Sequence, residues 1–531
     1  MYIVDNPEFR RLVRSKLRVR SLVTYGGAAG LILGGILAFF IFIEKQNFPN
    51  SPNVVSMVKV LHLYFFTVTG IQLGLVTLFG VALAAQNITL EKERGTFDFQ
   101  RLVAMGPWRL TIGKLFGATV EATFMALIGV PFAAYACLGS DIPFDVLIQS
   151  EIVVFVYALA TCSFGLMCSS IAEKTNQATG IVVLLGIPAS MVLNGWNSTS
   201  LWSTSSPVFM LTQFAGANYK LSTFSFFGKE IPIIVGFLVT NLLFMLLCTQ
   251  ITSRRIADVE LSFMTPRQGM VAFAVLQFLL VGSIFGVTYP NGIHELQLFH
   301  SVNMAALLML AFALTPGAEL VRGRVFRGVR NDQWKIVFER TNRLQDSPAL
   351  RVMFEICAIY IAVSAVFTPL IFNNAYDKIG YDAVLLTAMI AGMAIAMTGL
   401  LLYIQVYTER GYFKAGLLLL ILGFVLPPML IWIVSLANDK IKPESVLLVS
   451  PIAYIAGLEE LNRNGGELAC PSICVILAGT FCVLSGLRIR FLLDVEDIVK
   501  KRGPAARGPT LQSRMAEKAV VERAESADGG G

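Results

Sequence analysis

Charge is scarce in this chain. Of its 531 residues only 15% are Asp, Glu, Lys or Arg, against about 25% in a soluble protein, which excludes an ordinary water-soluble fold for most of its length. Histidine is rarer still: His62, His294 and His300 are the only three, and they form no ligand pattern, so no metal centre is expected. The eight cysteines, Cys137, Cys162, Cys168, Cys248, Cys357, Cys470, Cys474 and Cys482, all lie in or beside apolar segments and read as packing residues; the close pair Cys470 and Cys474 matches no recognised motif. A phosphate loop is also missing. Gly106 and Gly113-Lys114 are separated by six residues instead of four, and Leu115 stands where Ser or Thr is needed. With no catalytic triad and no paired carboxylates, neither an enzymatic site nor a bound cofactor is expected on this chain, and nothing points to a nucleic-acid partner.

Apolar sequence is abundant instead. The chain is 55% hydrophobic, with a mean hydropathy of +0.67. Its apolar runs are about 20 residues long, enough to cross a bilayer as helices, and they lack the period-two alternation of a membrane barrel. The expected class is an all-α polytopic membrane protein. Twelve spans are predicted, at about 21–43, 59–85, 113–137, 148–171, 178–195, 232–251, 269–289, 300–318, 353–373, 381–404, 414–437 and 469–487. With the N-terminus inside, the inner segments hold 34 and the outer segments 8 of the 42 Lys and Arg residues. That asymmetry predicts cytoplasmic N- and C-termini.

Residues 1–20 are basic, and Asn6-Pro7 can open a helix there. Phe9, Leu12, Val13 and Leu17 fall near one face, as in an interfacial helix. The apolar run that follows is too long for the core of a cleaved signal and is expected to stay as an anchor. Outer segments at 205–216 and 449–460 are apolar but too short to span, and read as re-entrant or capping helices. Residues 500–531 turn polar and read as a disordered cytoplasmic tail.

The two halves echo each other. Ser206-Pro207-Val208 has a counterpart in Ser450-Pro451-Ile452, Asp258-Val259-Glu260 in Asp494-Val495-Glu496, and Pro107, Pro131 and Pro188 in Pro348, Pro369 and Pro427. All five offsets lie between 236 and 244 residues, which predicts a tandem repeat of six spans with both copies facing the same way. The expected division is 21–260, with an inner loop at 87–112, and 261–499, with a basic inner loop at 319–352.

One polar stretch stands between long apolar segments: residues 86–114, QNITLEKERGTFDFQRLVAMGPWRLTIGK. Thr96 can cap a short helix beginning at Phe97, with Asp98 in its first turn. Phe99, Leu102 and Val103 share its apolar face, and Gly106-Pro107 stops it. An amphipathic helix of this kind fits either a partner's groove or the headgroup layer. The order Glu91, Glu93, Arg94, Gly95, Thr96, Pro107, Gly113, Lys114 resembles the coupling segment of ABC-2 type transporter permeases. The basic opening helix and the Ser-Pro outer segments are similar to that family as well. The resemblance covers residues 1–260 best and is looser over 261–500, where the basic loop at 319–352 lacks the E-x-E-x-G-T element.

The resemblance implies a permease subunit and exporter in a bacterial cytoplasmic (inner) membrane, coupled to a separate ABC-type ATP-binding subunit, two copies for the two halves. ATP and Mg would be bound by that partner. Glu91, Glu93, Arg94, Gly95, Thr96, Phe99, Leu102, Pro107 and Lys114 would carry the coupling. Pro131, Pro188, Pro369 and Pro427 should kink their spans and are candidates for hinges or the pathway. Gly26, Gly30 and Gly34 predict a close-packing face on the first span. Glu121 and Glu355 lie near inner span edges, where snorkelling or pairing with Lys114 or Arg351 is expected. The alternatives are a twelve-helix ion-coupled secondary transporter, which would want ionisable groups at mid-membrane, and a non-transporting membrane scaffold.

Overall fold

The computed structural model describes residues 5–47, 53–97, 100, 105–182, 205–215, 223–257, 262–285, 292–315, 349–371, 376–407 and 480. The chain divides into two compact units, one of residues 1–299 and 362–381, the other of 300–361 and 382–531.

In the first unit, α1 (Pro7–Lys16) starts as its sequence predicts. The Asn6 side chain accepts the amides of Glu8 and Phe9, and Pro7 occupies the first turn, where its missing N–H costs nothing. Next come α2 (Val19–Asn47) and α3 (Asn53–Gly74); α3 continues through a π-helical stretch, Leu75–Gly80, into α4 (Val81–Glu93). The 37 residues Met57–Glu93 thus form one apolar helical run about 55 Å long, against a hydrocarbon core of about 30 Å. Its polar end must project beyond the core. Residues 86–93, expected in a loop, are therefore helix.

A second departure follows. The span expected at 113–137 is two helices, α5 (Pro107–Ala118) and α6 (Val120–Leu138), divided at Thr119. Glu121 is the one charged residue between Leu115 and Leu138, so hydropathy merges them. Pro107 opens α5, and Pro131 lies inside α6. α7 (Phe144–Ile171) matches the fourth span; of the fifth, expected at 178–195, residues to 182 are helical and the rest lie outside the described residues.

The short outer helix is α8 (Pro207–Phe214), capped by the Ser206 hydroxyl. After it comes a short departure from helix that the sequence reading did not expect. Thr223–Phe226 (β1) and Lys229–Pro232 (β2) pair as an antiparallel hairpin. Its turn, Phe227-Gly228, has φ of 49° and 73°, the positive values that a two-residue hairpin turn of this hand needs. The strained Phe227 is held by its N–H, which donates to Gly282 O at 2.8 Å. α9 (Ile233–Ala257) and α10 (Pro266–Ile284) follow, the latter opened by a Thr265/Gln268 capping box. α3, α6, α7, α8, the hairpin and α9 share a core built on Tyr64, Phe65, Val68, Ala133, Ala136, Phe214 and Phe237.

Beyond these lie α11 (Gly292–Leu314), α12 (Ala349–Ile371) and α13 (Tyr376–Tyr407), matching the spans expected at 300–318, 353–373 and 381–404. Pro369 lies within α12. The spans at 414–437 and 469–487, the outer segment 449–460, Pro188, Pro427 and the tail fall outside the described residues. Among the described residues, six helices are long and apolar enough to cross a membrane: Leu22–Lys45, Met57–Glu93, Val120–Leu138, Phe144–Ile171, Ile233–Ala257 and Ala349–Val366. The close-packing face expected on α2 is not used among them. A Cβ at Gly26 would meet Ile128 at an ordinary 3.6 Å, and one at Gly30 or Gly34 would meet nothing within 4 Å.

Candidate functional site

The polar end of α4 is the point on which the surrounding elements converge. Three successive side chains there hold three different parts of the fold. Glu91 reaches α1 and α5: it pairs with Lys114 Nζ, accepts Arg11 Nη2 at 3.0 Å, and accepts Gln100 Nε2 at 2.9 Å. Lys92 reaches the end of α7, donating to Ser170 O at 2.7 Å, Ala172 O at 2.8 Å and Ser169 O at 3.4 Å. A cation at those carbonyls also suits the negative end of the helix. Glu93 reaches the next segment, where Thr175 N donates to its Oε1 at 2.8 Å. α4 and α7 approach closely behind these contacts because Gly165 has no side chain; a Cβ there would lie 2.8 Å from Val81 O.

The ionic core of the site is Glu8, Arg11, Glu91 and Lys114. Lys114 is fully buried, with Glu8 Oε1 at 3.1 Å in addition to Glu91. Arg11 brackets Glu8 through Nε at 2.9 Å and Nη2 at 2.8 Å. Two cations and two anions alternate, so each buried charge has an opposite neighbour, the condition under which burial of charge is tolerable. Burial alone would push the Glu8 carboxyl up, but the Arg11 hydrogen bond and the Lys114 charge outweigh it and leave it below the usual carboxylate value. The bond to Glu8 likewise raises Arg11, against the effect of its burial.

Small residues let α1 reach this position. A Cβ on Gly113 would fall 2.7 Å from Asn6 Oδ1, and one on Gly117 would fall 2.6 Å from Leu12 Cδ1. Asn6 also donates to Arg109 O at 2.6 Å. Lys16 donates to Ala118 O at 2.8 Å and lies 3.7 Å from Glu121; burial lowers the Lys16 amine, with Glu121 partly restoring it. The expected pairing of Glu121 with Lys114 is therefore replaced by pairing with Lys16, because Lys114 is turned onto Glu8 and Glu91. Glu355 does pair with Arg351, at 3.2 Å.

The tip beyond α4 is a tight reversal. Thr96 N donates to Glu91 O at 2.9 Å and Gly95 N to Lys92 O at 3.1 Å, while Gly95 has φ of +67°. This is a Schellman stop, and it explains the glycine of the E-x-E-x-G-T element. Thr96 turns its hydroxyl back onto Glu91 O at 3.3 Å, and its carbonyl accepts Gln100 N at 3.3 Å. Phe97 is buried with Ile88, Leu110, Leu115, Leu166 and Ile256. Glu93, Arg94, Gly95 and Thr96 remain exposed. Asp98, Phe99, Leu102 and Val103 lie outside the described residues.

Of the residues singled out in the sequence, Glu91, Gly113 and Lys114 meet around α1 and Pro107 opens α5 as an exposed residue, while Glu93, Arg94, Gly95 and Thr96 form the adjoining tip. Pro131 and Pro369 take no part. Sequence reasoning missed Glu8 and Arg11, for which the only local signal is an acid followed three residues later by a base, and Lys92, whose partners are backbone carbonyls.

The ABC-2 type transporter family model matches residues 9–195, a range that includes Arg11, all of α4 and all of α5. The chain is 30% identical over 128 residues to the "Probable multidrug ABC transporter permease YbhR" of Escherichia coli K12, a stretch covering 24% of this chain and 34% of that protein. The protein of the same name from Escherichia coli O157:H7 matches to the same extent. The chain thus spans about a third of the length of these curated relatives. No solved structure matches it. Residues 9–195 are therefore similar to the ABC-2 type transporter family, and the charged convergence at the end of α4 lies largely within that stretch.

Proposed function

We propose that this protein is the membrane-spanning permease subunit of an ATP-driven ABC-2 type transporter. The observation that carries the reading is the gripping of α1, α5, α7 and the segment at Thr175 by Glu91, Lys92 and Glu93, directly beside the exposed tip Glu93–Thr96. A displacement applied at that tip is passed to four elements at once. ATP and Mg belong to a separate ATP-binding subunit, which docks at this tip and against Phe99 and Leu102. The work of that subunit moves the long helix Met57–Glu93 and switches the bundle between inward and outward access.

The description of the Escherichia coli relatives as multidrug permeases supports export, and positive charge on the tip side supports an inner-membrane protein with both termini cytoplasmic. Two fused six-helix halves are supported by the sequence, where Pro107, Pro131 and Pro188 recur as Pro348, Pro369 and Pro427 at offsets of 241, 238 and 239. Two copies of the ATP-binding subunit would then serve one chain. Pro131, Pro188, Pro369 and Pro427 keep their place in this reading as hinge or pathway candidates.

The test is purification of the tagged chain from its own membranes. An ABC-type ATPase is expected to come with it. The double substitution Glu93→Ala with Thr96→Pro is expected to abolish ATP-driven transport while leaving the membrane domain folded. Transport by the isolated chain in liposomes under an ion gradient, without ATP, would overturn the proposal.

A further inference from the structure

Near the start of the fourth apolar span lies a carboxylate that the coupling site does not use. Glu151 is the eighth residue of α7, about 10 Å along the helix from its start, and it is half-buried on the flank of that helix. Its partner is Gln72 of α3. Gln72 Nε2 donates to Glu151 Oε1 at 3.1 Å, to Glu151 Oε2 at 3.3 Å and to Ala126 O of α6 at 3.0 Å. The arrangement is built rather than incidental to packing: a Cβ at Gly129 would fall 2.8 Å from Gln72 Cγ, so only glycine lets this side chain cross to α6 and α7.

The cluster is short of donors. Gln72 is 1% exposed, and its Oε1 receives no hydrogen bond among the described residues. Glu151 offers two oxygens to the same amide group, and among the described residues no Lys, Arg or His pairs with it. One –NH2 group therefore serves two carboxylate oxygens and a carbonyl, and Gln72 Oε1 is left without a donor. An ionisable group kept inside a membrane without a counter-charge marks a route or a binding site.

We propose that Gln72 and Glu151 form a binding site for an amphipathic organic cation, whose N–H supplies the missing donor and whose charge supplies the missing counter-ion. The proposal rests on the permease reading in that such a cation would be cargo. The binding itself needs neither ATP nor a partner subunit. It can therefore fail while the ATPase still co-purifies, or hold while it does not.

The full-length chain is purified in detergent and titrated with rhodamine 6G, a lipophilic cation with N–H donors, and with Nile red, an uncharged lipophilic dye, by fluorescence polarisation. Saturable rhodamine 6G binding is expected. Glu151→Gln, which keeps size and hydrogen bonding but not charge, is expected to weaken it at least tenfold. Asp145→Asn, which neutralises an exposed acid at the start of the same helix, should leave it unchanged, and Nile red should not distinguish the three proteins. In the unaltered chain, rhodamine 6G should protect Glu151 from labelling by N,N′-dicyclohexylcarbodiimide, read by peptide mass spectrometry. The proposal is overturned if the wild-type chain does not bind the dye saturably. It is equally overturned if Glu151→Gln binds as wild type, if Asp145→Asn weakens binding as much, or if the dye leaves labelling undiminished.

Discussion

Lys114 is the residue whose loss the site can least absorb. Its ammonium is fully buried between Glu8 and Glu91, so Lys114→Met leaves two carboxylates facing each other with little water. Removal of one partner from a buried ionic set costs about 3–5 kcal/mol. The expected result is release of α1 from α5, read as faster tryptic cleavage at Arg14 and Lys16. Arg11→Met should do far less, about 1 kcal/mol or below, because Arg11 is 54% exposed and water replaces most of what it gives. pH acts through Glu8. Its carboxyl is depressed below the ordinary 4.5 in the folded chain, so its stabilising contribution is complete above that value and drains away as pH falls through the lower folded value. Protection of Arg14 from an acid-tolerant protease should therefore hold at pH 5 and fade below pH 4.5. Lys114 was legible from the sequence as part of a Gly-Lys pattern. Glu8 was not: an acid inside a basic amphipathic helix reads as solvated, and the partner that buries it is 106 residues away.

Among the elements, α1 is attached by geometry as much as by charge. Leu12 fits only because Gly117 is bare. Gly117→Leu is expected to push α1 off α5 while α6 still spans, read as loss of a disulfide engineered between the two helices with unchanged helical circular dichroism. Helix identity was readable wherever an apolar run had polar ends, as for α7 and α9. Two boundaries were not. The break at Thr119 is invisible because a single charge, Glu121, is averaged out by the apolar residues on both sides, and the helical character of 86–93 is hidden because polar residues at the end of a span resemble a loop. The β1–β2 hairpin was hidden for a third reason: its strands are four residues each, too short for alternation to show.

Across the whole molecule, α9 fixes which features share a side of the membrane. Ile233, at its start, follows the hairpin directly, and Ile256, near its end, is buried with Phe97 and Ile88 beside the tip of α4. The 25 residues of α9 cover about 37 Å, so hairpin and tip stand at opposite ends of a helix long enough to span. A cysteine placed at Arg94 should react with an impermeant maleimide only from the cytoplasmic side, and one at Lys229 only from the other; labelling of both from one side would break the topology. Six apolar helices among the described residues were legible at this scale because hydropathy averages over about 20 residues and tolerates errors of several residues at each edge.

The three grips at the end of α4 share one property of phase. Each residue of an α-helix is turned about 100° from the last, so Glu91, Lys92 and Glu93 fan out toward three separate neighbours from a single turn. A substitution releases one neighbour and leaves the other two engaged. Insertion of one residue before Glu91 rotates the whole fan, mispointing every side chain in it, so this turn should accept changes of letter far better than changes of length.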